Sequence, residues 1–134
     1  MTIFPSRTLS VTINRAWTEV YDYASDPANL THWAAGLGTA FEHTGDDWTF
    51  RTPGGEPVKM RFTEQNALGV LDHDVILADR TVHVPLRVMP NGDGAEVTFL
   101  LLQENGMTEE EYQRDAAAVR KDLETLKTIL EKAA

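Results

Sequence analysis

The segment MTEEEYQRDAAAVRKDLETLKTILEKAA, Met107 to Ala134, decides the architecture. Thr108 followed by Glu111 is a capping-box pattern, in which each side chain accepts a hydrogen bond from the other residue's backbone N–H. Glu109 and Glu110 add negative charge at the positive end of the helix dipole. Tyr112, Ala116, Val119, Leu123, Leu126 and Leu130 then recur in steps of four and three. The spacing predicts one helix of about 25 residues, roughly 40 Å long, with a single apolar stripe. Such a stripe needs a broad apolar surface to lie on.

The rest of the chain offers that surface as a series of short strands. From Thr39 to Glu104, five turn clusters separate six apolar or alternating runs: TGDD (Thr44–Asp47), PGG (Pro53–Gly55), Asn66–Gly69, Ala78–Asp79 and NGDG (Asn91–Gly94). Residues 3–14, alternating around Ile3, Leu9, Val11 and Ile13, add a strand at the front, which makes seven. Two short helices fall between. In the first, Trp17, Val20, Tyr21 and Ala24 recur at helical spacing. The second starts with Asp26 as N-cap and Pro27 at the first helical position, and Gly36 and Gly38 end it after Trp33. The expected architecture is α+β, a curved seven-stranded antiparallel sheet gripping the C-terminal helix.

Composition narrows the function classes. At 134 residues with 42% hydrophobic and 25% charged residues, the chain has the make-up of one globular domain. The net charge of −9 disfavours nucleic acid and anionic membrane, both of which reward clusters of Lys and Arg. The longest strongly apolar run, Phe99–Leu102, is far too short for membrane insertion. The first ten residues show no basic region followed by an apolar block, so the cytoplasm is the expected location. The absence of cysteine excludes disulfides, thiol nucleophiles and thiolate metal sites.

Element order and local motifs together resemble the START-like, or SRPBCC, superfamily with its helix-grip fold, and within it the polyketide cyclase/dehydrase and lipid-transport branch. The resemblance is carried by NRAWTEVYDYASDPANLTHWAAGLG (Asn14–Gly38), GVLDHDV (Gly69–Val75), VPLRVMPNGDGAEVTF (Val84–Phe99) and GMTEEEYQRDAAAVRKDLETLK (Gly106–Lys127). It implies one START-like domain over residues 1–134, with a cavity between the concave sheet face and the long helix that takes a small hydrophobic ligand. Residues expected to line that cavity are Tyr21, Trp33, Trp48, Met60, Phe62, Leu71, His73, Val75, Phe99, Tyr112, Val119 and Leu123. No cofactor is implied.

The stretch VLDHDVIL (Val70–Leu77) holds the one candidate for chemistry. Strand side chains alternate between faces, so Asp72 and Asp74 share one face while His73 shares the other with Leu71, Val75 and Leu77. The three cannot close on one metal. His73 is either a core histidine bonded to a neighbour or a cavity group that orients a ligand or moves a proton; the two aspartates are expected in solvent. Arg61 and Arg87 are likewise expected on the convex face. His32, His43, His73 and His83 show no ligand-spaced pair, which argues against a metal site, and there is no G-x-S-x-G elbow. Two readings stand: a module that binds a lipid- or polyketide-like molecule, and a metal-free polyketide cyclase or dehydratase using a cavity His or Tyr. A protein-interaction module of the chaperone-cofactor kind is a third.

Overall fold

The structure, a computed structural model, describes residues 1–34, 41–52 and 54–132. The expected stop at Gly36 and Gly38, the strand start at Thr39 and Pro53 of the PGG turn lie outside the described residues. The elements run β1 (Ser6–Ile13), α1 (Trp17–Ala24), α2 (Pro27–Trp33), β2 (Phe41–Thr44), β3 (Asp47–Arg51), β4 (Pro57–Phe62), β5 (His73–Ile76), β6 (Thr81–Val84), β7 (Leu86–Asn91), β8 (Gly94–Leu102) and α3 (Glu109–Lys132).

Local chemistry explains the helix starts. Asp26 Oδ1 accepts from the Ala28 N–H at 3.0 Å, with Pro27 opening α2. At α3 the Thr108 N–H donates to Glu111 Oε1 and the Glu111 N–H to Thr108 Oγ1, each at 3.1 Å. Tyr112, Ala116, Leu123, Leu126 and Leu130 of the α3 stripe are buried, and Val119 is half-buried.

The strands form two antiparallel sheets, ordered β1-β8-β7 and β2-β3-β4-β5-β6, rather than the single seven-stranded sheet expected. The cause lies in the run from Arg80 to Pro90. Pro85 has no N–H to give a ladder, so that run splits into β6, which pairs with β5, and β7, which pairs with β8. Backbone bonds still stitch the sheets across the break: Leu71 N–H to the Leu86 carbonyl (2.8 Å), Val88 N–H to Gly69 (2.9 Å) and Leu100 N–H to Pro85 (3.2 Å). Gly69 is required in this seam. Its φ is +74°, and a Cβ there would stand 2.0 Å from the Val88 carbonyl oxygen.

The seam also corrects the expectation for Asp72. Its side chain is only 13% exposed. Oδ1 accepts from the Leu86 N–H (3.0 Å) and from Arg87 Nε (3.0 Å), while Oδ2 accepts from Arg87 Nη2 (2.9 Å). Asp72 thus pairs the first backbone donor after Pro85, and the Arg87 hydrogen bonds hold its carboxyl below the usual carboxylate range. Asp74 takes the expected outer face, 2.8 Å from His83, and Asp47 bonds Arg61 at 2.8 Å. Both arginines are more than half exposed on that face.

Helix α3 is strapped to β1 along its length. Arg120 Nη1 donates to the Ser10 carbonyl and Lys127 Nζ to that of Thr12, both at 2.6 Å. The Asn14 N–H donates to Glu131 at 2.8 Å, and Arg15 to the Leu130 carbonyl at 2.7 Å. The largest wholly buried side chains, Ile13, Val20, Phe50, Val88, Val97, Leu123 and Leu126, fill the core; burying each stabilises by about 1.5–3 kcal/mol. Because α3 is tied to the β1 side, its other flank diverges from β5 and β6.

Candidate functional site

A cavity of about 270 Å³ occupies that divergence, just below the roughly 300–1,000 Å³ usual for ligand sites. The register that pairs Met60 with Val75, and His73 with both Phe62 and Val84, turns these side chains to one face. Met60, His73, Val75, Val84, Leu86 and Phe99 line the cavity from the strands. Leu30, Trp33 and Ala34 line it from α2 and its end, and Val119, Asp122 and Leu123 from α3. Val119 is half-buried because this part of the α3 stripe meets empty space instead of strand side chains.

A chamber of about 20 Å³ adjoins the cavity behind Trp33 and His73, touching Phe62 and Leu71. It is room enough for about one water molecule. On the other side, Val84 and Phe99 also border a cleft of about 350 Å³ that reaches Arg80, Glu104, Met107 and Asp115. Burial raises the Asp115 carboxyl above its ordinary value, and Arg80 sits 3.5 Å from Glu104.

His73 lies with its ring centroid 5.6 Å from that of Phe62. Burial pushes its pKa below the ordinary 6.5, so the ring is neutral at pH 7. Nδ1 stands 3.0 Å from the Leu71 carbonyl oxygen and, in the neutral ring, carries the proton it donates there. Nε2 is then the acceptor. Trp33 is 6% exposed, yet its indole Nε1–H has no hydrogen-bond partner among the described residues. An unpaired buried donor costs about 1–3 kcal/mol, and folded proteins carry few.

Of the residues expected from the sequence, Trp33, Met60, His73, Val75, Phe99, Val119 and Leu123 come together at the cavity, with Phe62 and Leu71 at the chamber. Tyr21, Trp48 and Tyr112 stand away from both. The Tyr21 hydroxyl accepts from the Asn66 N–H at 2.9 Å, the Tyr112 hydroxyl donates to the Leu101 carbonyl at 3.0 Å, and Trp48 stacks on His43 with centroids 4.2 Å apart. Sequence reasoning missed Leu30, Ala34, Val84, Leu86 and Asp122. Leu30, Val84 and Leu86 carried a signal, being apolar at positions that alternate or recur toward the same face. Asp122, the carboxylate of the wall, interrupts the apolar flank of α3 beside Leu123. Among the described residues no cluster of His, Asp and Glu could hold a metal ion, and no helix is long and apolar enough to cross a membrane.

No protein-family model matches the chain, and no curated protein matches it in sequence. Solved structures share its fold at low identity. Protein MLL2253 from Mesorhizobium loti superposes with a TM-score of 0.78 at 12% identity, over 97% of this chain and 99% of that one. CalU16 from Micromonospora echinospora gives 0.65 at 14% identity, over 92% and 73% of the two chains. DynU16, a protein of the dynemicin biosynthetic locus, gives 0.74 at 15% identity, over 96% of this chain and 48% of that one. The chain is an α+β protein of the same fold as these structures.

Proposed function

We propose that residues 1–134 form one START-like domain with the helix-grip fold of the SRPBCC superfamily. In this reading it binds a small hydrophobic or aromatic molecule, lipid- or polyketide-like, between the sheets and α3. The observation that carries this is the cavity of about 270 Å³, walled mostly by apolar side chains and bordered by the neutral His73 ring, whose Nδ1 proton is committed to the Leu71 carbonyl. The place of the fold relative DynU16 in a biosynthetic locus supports a ligand drawn from small-molecule biosynthesis. Binding in the cytoplasm, without a cofactor, completes the reading.

A cyclase or dehydratase has one observation in its favour, since His73 Nε2 at the wall can take a proton. The tyrosines that would assist, Tyr21 and Tyr112, are tied elsewhere. Binding without chemistry is therefore the preferred reading.

Native mass spectrometry of gently purified protein, with titration by the uncharged dye Nile red, tests it. A bound small-molecule adduct, or saturable binding of one dye per chain, is expected. In a parallel titration with 2-naphthol, an uncharged ligand at pH 7 whose O–H can donate to His73 Nε2, His73→Leu should keep the fold and weaken affinity by about tenfold, the worth of one hydrogen bond in an apolar site. Neither adduct nor dye binding would overturn the reading, and equal affinity in the variant would reduce His73 to core packing.

A further inference from the structure

The division into two sheets leaves a slot. Among the described residues, β6 pairs only with β5, and Leu100–Leu102 of β8 pair only with β1, so these two strand edges have no ladder between them. One end of the slot is closed by the Leu100 N–H donating to the Pro85 carbonyl at 3.2 Å. The other is crossed by Arg80, whose Nε stands 3.5 Å from Glu104. The cleft of about 350 Å³ occupies this slot, for successive residues of both strands line it, Val82–Val84 and Phe99–Leu102. Neighbouring strand side chains point to opposite faces, so a space touching all of them passes between the edges rather than lying on one face. Val84 and Phe99 border both this cleft and the main cavity, and both are half-buried. The two spaces differ in charge: Arg80, Glu104 and Asp115 border the cleft, whereas Asp122 is the one charged residue among the described ones lining the cavity.

Resting on the ligand-binding reading, we propose that the site is bipartite: the cavity continues past Val84 and Phe99 into the slot between β6 and β8, and its ligand is an elongated amphiphile, apolar at one end and hydroxyl-bearing at the other. Size favours the longer ligand. The cavity of about 270 Å³ falls just below the range usual for ligand sites, and joined to the cleft of about 350 Å³ it lies within that range. Polarity sets the orientation. The apolar end gains most in the cavity, where each methylene removed from water tightens binding about fourfold. The hydroxyl end keeps its hydrogen bonds at the cleft, where Arg80 offers donors and the Glu104 and Asp115 carboxylates offer acceptors. The break that Pro85 forces on the ladder is thus what admits a ligand longer than the cavity alone.

Two ethers test this, 6-(2-naphthyloxy)hexan-1-ol as the long probe and 2-methoxynaphthalene as the short one, each titrated into protein carrying ¹³C in its methionine methyls. Met60 lines the cavity and Met107 the cleft, while Met1 and Met89 are exposed and line neither. The long ether is expected to shift both the Met60 and the Met107 resonance. Its naphthyl protons should show Overhauser contacts to Met60 and its terminal CH₂O protons to Met107. The short ether should shift Met60 alone. Val82 borders the cleft but not the cavity. Val82→Trp, which narrows the slot, should therefore weaken the long ether about tenfold and change the affinity of the short one by less than about twofold. If Val82→Trp fails to fold, the wild-type resonances decide alone. An unmoved Met107, naphthyl contacts at Met107 instead of Met60, or a variant that weakens neither ether or both alike overturns the bipartite site, while short-ether binding at Met60 still leaves the ligand-binding reading standing. Failure of both ethers to bind overturns both.

Discussion

At the scale of single residues, the sheet seam depends on Asp72. Pro85 removes one ladder donor, and the next one, the Leu86 N–H, is paired by a side chain from the neighbouring strand run. Asp72→Asn keeps an acceptor for Leu86 but loses the charge that holds Arg87, so a loss of about 1–3 kcal/mol is expected at pH 7. The pH dependence has a definite sign. The folded-state pKa is depressed, so the stabilising contribution is complete above the ordinary carboxylate value near 3.8 and is lost as pH falls through the folded value. Urea melts from pH 7 down to pH 3 should show the wild type approaching the Asp72→Asn variant at the acid end; a constant gap would mean that the carboxylate charge is irrelevant. Alternation along the strand made the opposite faces of His73 and Asp72 legible in the sequence. The clamp was not, because it depends on Arg87, fifteen residues away, and on a backbone donor exposed by a proline.

Among the elements, α3 was the most legible because its caps and stripe are both local patterns. Leu123 sits mid-stripe and is 1% exposed, touching both core and cavity wall. Leu123→Ala should cost about 2–5 kcal/mol, read as a lowered denaturation midpoint; an unchanged midpoint would mean that the helix is not the main lid of the core. For α2, Asp26→Ala removes the bond to the Ala28 N–H and should cost about 1 kcal/mol by the same measurement. Six strand runs were legible from their turn residues, while the division into two sheets was misjudged. Its signal was present: Pro85 falls inside the run from Arg80 to Pro90, and a proline there forbids an uninterrupted ladder. Which way α3 leans was beyond local pattern, because it is fixed by Arg120, Lys127 and Glu131 bonding the backbone of β1 and its end.

For the whole molecule, that lean creates the cavity. The helix is held to β1 by side chain to backbone bonds, the five-stranded sheet turns away at the Gly69–Pro85 seam, and the wedge between them stays unfilled. A packed core and an empty wedge respond in opposite ways to added volume. Val119 is half-buried, faces the cavity and belongs to an element anchored elsewhere, so it distinguishes the two. In a filled core, Val119→Phe would force neighbours aside and cost about 1–3 kcal/mol. In the wedge the larger ring occupies vacant space beside Val75 and Leu86 and gains apolar contact, so stability should hold or rise by about 0.5–2 kcal/mol. The same ring takes volume a ligand needs in a space of only about 270 Å³. Nile red affinity should therefore drop by at least about tenfold. Stability gained while binding is lost is the signature of a cavity kept open for an occupant, and the paired measurement of urea melts and dye titration reads both. A destabilised Val119→Phe would show instead that α3 lies close to β5 and β6 in solution, and that the wedge is not the ligand site.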